Sequence, residues 1–327
     1  MGFEKYGNPK IAENWRQHFF ISLPKEWIKR LGLKRGDLVA ITERGDGALL
    51  VDPKYSEREN LRVAEIEMDE GFTREITAKY LYGYDIIRLK SKGPRINPYQ
   101  REEVKKSLQQ LVGVEIVEED ARDITLQCLL SPSAVPLRRT MKRTYLIAAK
   151  MQEEVITALK ELDDKLAKNV INRDEEVNRL YFLIVRQLRA AIQDPRLAEK
   201  MGVTAIECLD YRAVVKSIET LADHAVKMAR QITLLQKTPI PQTVLQKILE
   251  TSKITQEIHS NAIEALLRKD VNLAAKTIDK KPELEKALNE AYEEILNQAP
   301  VLATPLNTIV DMLDRIAECG IDIADLT

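Results

Sequence analysis

Two segments of this 327-residue chain share one pattern. Residues 218–225 and 313–320 both read apolar, acid, any residue, apolar, Ala, acid, and their leading acids, Glu219 and Asp314, stand 95 positions apart (314 minus 219). That period is too long for a small solenoid repeat and fits a duplicated three-helix unit. From about residue 136 onward glycines and β-branched clusters are sparse. Six helices are expected, over 137–169, 174–193, 210–235, 241–269, 271–294 (broken near Pro282) and 305–325. They divide into bundles at 136–238 and 239–327. Each unit's long first helix ends in an acidic spot, Asp163-Asp164 and Asp270.

Residues four apart share a helix face, so Glu219 and Asp223 are neighbours, with Lys216 and Lys227 within reach. The sixth helix is more extreme. Asp311, Asp314, Glu318, Asp322 and Asp325 step by three or four and fall on one face, and Arg315 is that helix's one cation. A bare carboxylate row repels itself. Either it is a solvated acidic face, or a neighbouring helix or bound cations neutralise it. Oxygen-only donors suit hard divalent ions or iron.

The run Ile218-Glu219-Thr220-Leu221-Ala222-Asp223-His224-Ala225 resembles the PhoU family signature, and Leu313-Asp314-Arg315-Ile316-Ala317-Glu318-Cys319-Gly320 resembles its second copy. The stretch from Asp174 to Leu180 is similar to the family's second-helix motif. The resemblance implies regulation of phosphate uptake without enzymatic activity, through a phosphate transporter complex or its signalling partner. It also implies metal-binding acidic motifs that take divalent or iron-type ions. Carried over residue by residue, the ligand candidates are Glu219, Asp223, Asp314 and Glu318, with Asp322 and Asp174 beside them. The second copy reverses the order of the acids and has Cys319-Gly320 where His224-Ala225 stands in the first. His224 reads as a structural histidine.

The first 54 residues are a separate unit. Residues 18–23 form a strand candidate, Pro24 opens a helix over 25–31, and Gly32 closes it. Strands at 38–42 and 49–51 flank a Gly45-Asp46-Gly47 turn. A unit so small buries little surface alone, so dimerisation is expected. Segments 19–27, 31–37 and 49–53 resemble the AbrB/MazE/SpoVT family, which implies a swapped-hairpin homodimer that binds DNA through basic residues: here Arg16, Lys25, Lys29, Arg30, Lys34 and Arg35. Two readings stand: DNA contact, or a dimerisation handle whose cations are merely solvated. Fusion of the two modules is a pattern of archaeal phosphate-uptake regulators.

Between these parts, residues 55–135 alternate strands and helices: strands at 61–68, 84–89, 114–117 and 124–129, helices at 73–82 and 97–111. This is a small α/β layer, and its Glu118-Glu119-Asp120 reads as a solvated turn. The expected fold class is therefore multidomain and mainly α, with an N-terminal β module, a small central α/β domain and a C-terminal pair of three-helix bundles.

Charge bears on partners. Fifty cations against 51 anions leave a net −1, which argues against bulk nucleic-acid binding until the chain is divided. Residues 1–54 hold ten cations and seven anions, whereas residues 241–327 hold nine cations and fifteen anions. A basic head thus cancels an acidic tail, and a dimer doubles the head's charge where phosphates could meet it. No apolar run reaches the ~18 residues of a membrane span, and residues 1–10 lack a signal-peptide core. The expectation is a cytoplasmic protein with no membrane insertion. Cys128, Cys208 and Cys319 are scattered and read as free thiols. GxxxxGK[ST], GxSxG and Glu-x-x-His motifs are missing, which leaves no basis for catalysis. The second reading is an AbrB-type transcription factor whose helical part is a ligand-sensing dimerisation body.

Overall fold

A computed structural model describes residues 12–13, 19–43, 47–53, 61–235 and 238–327. It falls into two units, residues 1–61 and 62–327.

In the first unit β1 (Ala12–Glu13) pairs antiparallel with β2 (Phe19–Phe20). Helix α1 (Lys25–Arg30) starts after Pro24 and stops where Gly32 takes φ +69°, a left-handed turn that glycine adopts without steric cost. Strands β3 (Ala40–Glu43) and β4 (Leu49–Asp52) pair antiparallel, Ala40 opposite Asp52. No residue of α1 is buried. Leu38, Ile41 and Leu49 are each more than 60% exposed, so the apolar set of this unit lacks a cover within the described residues of one chain.

The second unit begins with a four-stranded sheet built from β5 (Val63–Glu67), α2 (Phe72–Leu81), β6 (Ile86–Lys90), α3 (Pro98–Gln109), β7 (Val114–Glu119) and β8 (Asp123–Cys128). The strand order is β5-β6-β8-β7, with β5 and β6 parallel and the other pairs antiparallel. Alternation sends Ala64, Ile66, Ile87, Leu89, Ile124 and Leu126 inward, where Phe72, Ile76, Tyr80 and Val104 of the helices meet them. Glu65, Glu67, Arg88 and Lys90 keep the other face wet, as one-sided sheets do. Of the acidic run expected as a turn, Glu118 and Glu119 end strand β7, paired with Thr125 and Ile124, and Asp120 opens the turn, its Oδ1 accepting from the backbone N–H groups of Arg122 and Asp123 at 2.7 and 2.8 Å.

The rest is helical: α4 (Leu137–Glu161), α5 (Asp164–Gln193), α6 (Pro195–Met201), α7 (Ala205–Leu234), α8 (Gln242–Arg268), α9 (Val271–Ile278), α10 (Lys281–Leu296) and α11 (Pro300–Ala324). One continuous core runs through both helical copies. Three expectations change. The first helix ends at Glu161 rather than 169, because Leu162 takes φ +50° and Asp163 caps α5 by accepting from Lys165 and Leu166 N–H at 2.8 and 3.1 Å. Apolar spacing runs on through that turn and conceals it. The capping box Thr204–Glu207 starts α7 five residues early, and α11 starts at Pro300 with Pro305 inside it. The short α6, capped by Asp194, corresponds to none of the six expected helices.

The duplication has a register. Lys269 repeats the left-handed turn of Leu162, and Asp270 caps α9 as Asp163 caps α5, so the acidic spots are helix caps. Those pairs are 107 apart (270 minus 163), as are Gln152 and His259, whose side chains meet at 2.5 Å. The Tyr145 hydroxyl lies 2.9 Å from His259 Nδ1. The same offset pairs the buried Val170 with Thr277, Val177 with Leu284 and Leu188 with Ile295, so it holds along the middle helices.

Helix α5 also carries the α/β layer. Arg186, 2% exposed, donates to the carbonyls of Tyr80 at 2.5 Å and Tyr84 at 3.0 Å and lies 3.6 Å from Asp85. Gln187 donates to the Pro132 and Val135 carbonyls at 2.7 and 2.8 Å.

Candidate functional site

The site is assembled where α5 meets α7. Burial of Val177 and Ile184 on α5, and of Ile218, Ala222 and Ala225 on α7, clamps the two helices together. It leaves Asp174, Glu219 and Asp223 at the edge of the seam. Asp174 Oδ2 accepts from Asn178 Nδ2 at 2.8 Å, and its Oδ1 is buried with no partner among the described residues. Glu219 holds Lys216 Nζ and is approached by Thr220 Oγ1 at 3.4 Å.

Electrostatics links these groups. Burial, then the Asp223 carboxylate, then Glu219, raises the Asp174 pKa above the ordinary carboxylate range. Asp223 is raised by burial and by Glu219, against the pull of Lys216, Lys227 and Arg230. Each acid therefore sits among others at a desolvated seam. His224, 8% exposed, is pushed down to about 4, mainly by burial. That keeps the ring neutral, and its Nδ1 is unpartnered among the described residues.

The second copy is different. Asp314 is raised by burial and then by Glu318, while Arg315 and Lys281 pull it down. Asp322 is raised by burial, Asp325 and Glu318. Asp311 accepts from the Tyr292 hydroxyl at 2.6 Å. Asp311, Glu318, Asp322 and Asp325 lie exposed along α11. Cys319 is buried, its thiol pushed up to about 12 by that burial.

The six acids singled out from sequence thus fall into two sets, Asp174 with Glu219 and Asp223, and Asp314 with Glu318 and Asp322. Among the described residues no three His, Cys, Asp or Glu side chains converge closely enough to hold an ion as they stand. The first set draws its carboxylates from two helices and includes a buried oxygen, Asp174 Oδ1, without a donor among the described residues. A fourth position escaped the sequence reading. Carrying the 107-residue offset onto Asp174 lands on Lys281 (281 minus 107), the first residue of α10. The repeat could have revealed it had the middle helices been aligned as well as the third ones.

In the N-terminal unit Lys25, Lys29, Arg30, Lys34 and Arg35 are all exposed, on α1 and the turn after it. Lys29 and Arg30 occupy the last turn of α1, where cations also favour the helix dipole. Arg16 lies outside the described residues. Cys128, Cys208 and Cys319 are free thiols. No helix among the described residues is long and apolar enough to cross a membrane.

Comparison with known proteins gives two family matches. The PhoU domain matches residues 141–232 and 248–327. The model described as "Antidote-toxin recognition MazE, bacterial antitoxin" matches residues 15–59. No curated protein matches the chain. Among solved structures, PhoU from Pseudomonas aeruginosa superposes with a TM-score of 0.53 at 18% identity, over 58% of this chain and 92% of that one. The phosphate transport system regulatory protein PhoU from Streptococcus pneumoniae gives 0.50 at 15% identity, over 58% and 90%. At such identities these likenesses speak for the fold alone.

Proposed function

This chain belongs to the PhoU domain family, and we propose that it regulates phosphate uptake and intracellular phosphate homeostasis in the cytoplasm by binding partners rather than by catalysis. The two PhoU copies carry this reading. A phosphate transporter complex or its signalling component is the partner such a regulator addresses. Affinity capture from cells grown with and without phosphate tests it: recovery of phosphate-transport components that changes with phosphate supply is expected, and their absence in both conditions would refute the reading.

Metal binding is part of the proposal. Glu219, Asp223 and Asp174 supply donors from two helices, Asp314, Glu318 and Asp322 from one, and divalent or iron-type ions suit such oxygens. A bound ion would neutralise the acids and draw α5 toward α7. Equal metal content in the wild type and in a Glu219→Ala/Asp223→Ala/Asp314→Ala/Glu318→Ala variant would sink this part.

The N-terminal unit is assigned to homodimerisation, with a second copy covering Leu38, Ile41 and Leu49, and to DNA contact through Arg16, Lys25, Lys29, Arg30, Lys34 and Arg35. Binding that weakens steeply with salt is expected. If duplex DNA is not retained even near about 50 mM salt, the unit is a dimeriser only and the transcription-factor reading fails with it.

A further inference from the structure

Helices α4 and α8 open the two helical copies and run past each other in opposite directions. Tyr145 meets His259, and further along α4 the Glu153 carboxylate accepts from Gln256 Nε2 at 2.8 Å. Toward the start of α4 and the end of α8 the two helices leave a cavity of 430 Å³ between them. Its floor is apolar: Tyr145 and Ile263 are buried, and Leu267 lies half-buried beside them. The floor is also fixed, because the Tyr145 hydroxyl is tied to His259 Nδ1 and His259 Nε2 to Gln152. Leu146 stands on the rim, 55% exposed.

The charge of the rim is one-sided. Residues 137–150 hold five cations and no acid. Arg138, Arg143 and Lys150 are paired with Glu207, Glu176 and Glu153, and on the opposite wall Arg268 is paired with Glu264 at 2.8 Å. Arg139 and Lys142 are exposed and have no partner among the described residues. Arg139, Lys142, Leu146 and Lys150 step by three or four, so they share one face of α4.

We propose that this groove receives an acidic amphipathic helix of a partner protein, its apolar stripe on the floor and its Asp or Glu side chains on Arg139 and Lys142. This rests on partner binding as the mode of action above and adds the chemistry of the partner. The shape selects a helix: in a trough between two helices, residues at i, i+3, i+4 and i+7 of a third reach the floor together. The two unmatched cations select an acidic one, since opposite charge at a rim speeds encounter and excludes basic competitors. A bilayer suits the site less. Tyr145 and Ile263 lie at the bottom of the groove, beyond a flat surface, and Glu153 and Glu264 would face anionic headgroups. A second copy of this chain would bring the same cations to the same patch, so like charge opposes self-association here.

Fluorescence anisotropy of the whole protein with a labelled peptide tests the proposal. The probe is a helix of about 18 residues with Leu at i, i+3, i+4 and i+7 and Glu on both flanks. Saturable binding of one peptide per chain is expected, weakening as salt rises. Leu146→Asp should loosen it about tenfold or more, and so should Arg139→Glu/Lys142→Glu. All three side chains are exposed, so the fold tolerates these changes. The charge-reversed variant should instead take up the same peptide with Lys in place of Glu. No binding to the wild type, affinity that either variant leaves intact, or no recovery with the Lys peptide would overturn the proposal. Two further results would overturn it by naming another occupant. One is variant-sensitive binding to phosphatidylglycerol vesicles with none to the peptide, which makes the face a membrane contact. The other is dimerisation on sedimentation that Leu146→Asp abolishes, which gives the groove to a second copy. None of these results touches the capture of phosphate-transport components, so the two readings fail separately.

Discussion

Gly320 is the point where the second copy cannot follow the first. Its counterpart Ala225 carries a methyl group in a buried position. A Cβ on Gly320 would lie 2.8 Å from His259 Cα, 2.9 Å from His259 N and 2.9 Å from Ile258 Cγ2. Two of those neighbours are backbone, so no rotamer change relieves them. Helices α8 and α11 must part by several tenths of an ångström, disturbing the Gln152–His259–Tyr145 contacts beside them. Overpacking of this kind costs about 1–3 kcal/mol, against about 1 kcal/mol gained in helix propensity. Gly320→Ala should therefore destabilise the helical part by up to about 2 kcal/mol. For a body of this size that is a fall of roughly 2–8 °C in thermal midpoint. Differential scanning calorimetry gives the midpoint, and hydrogen exchange should show lost protection in both α8 and α11. Because the obstacle is main chain, adding His259→Ala should not restore what Gly320→Ala removes. A midpoint at or above wild type, or rescue by the His259 truncation, would refute the reasoning.

Other outcomes follow from the same geometry. His259 is buried and held neutral, its pKa pushed down to about 4 from an ordinary 6.5 by desolvation. The folded state then binds fewer protons than the unfolded one between those values. The stability this supplies is complete above pH 6.5 and is lost as pH falls toward 4, about 3 kcal/mol in all; in His259→Gln the same titration should be shallower in that window by calorimetry. Arg186→Met removes the guanidinium donor from the Tyr80 and Tyr84 carbonyls, a loss of about 1–3 kcal/mol for a buried acceptor left short of its partner, and limited proteolysis should cut faster within residues 62–135. Asp163→Ala and Asp270→Ala each remove a cap worth about 1 kcal/mol, and equal effects on the midpoint would support the duplicated register. Ile41→Asp with Leu49→Asp should convert a dimer to a monomer on sedimentation.

Much of this molecule is legible in its residues because the signals are local. Gly32, Asn97-Pro98 and the α9–α10 break at Pro282 act through their own dihedrals and hydrogen bonds, and the expected elements lie within a few residues of the observed ones. Apolar spacing does not locate the ends of the long helices where two of them abut. Leu162 is an apolar residue in a left-handed turn, which no spacing rule flags, so 137–169 reads as one helix. The duplicated acids stand out because helical period makes Glu219 and Asp223 neighbours. Whether they face a cation or a lysine depends on what α5 and α10 bring to them, which is tertiary. Lys281 and the orphaned oxygen of Asp174 become meaningful only once the middle helices are in place. The same holds for Arg186, which looks like one more surface cation until α2 is laid against it.

That arginine bears on how the protein can be taken apart. The prolines at 132 and 136 invite a cut between the α/β layer and the helices, yet Phe182 and Arg186 of α5 belong to the far side of it. A fragment starting at residue 136 would bare an apolar strip and a buried guanidinium on its own second helix, and one ending there would lose the floor beneath Tyr80. The workable dissection runs at residue 61, with everything after it expressed as a single piece.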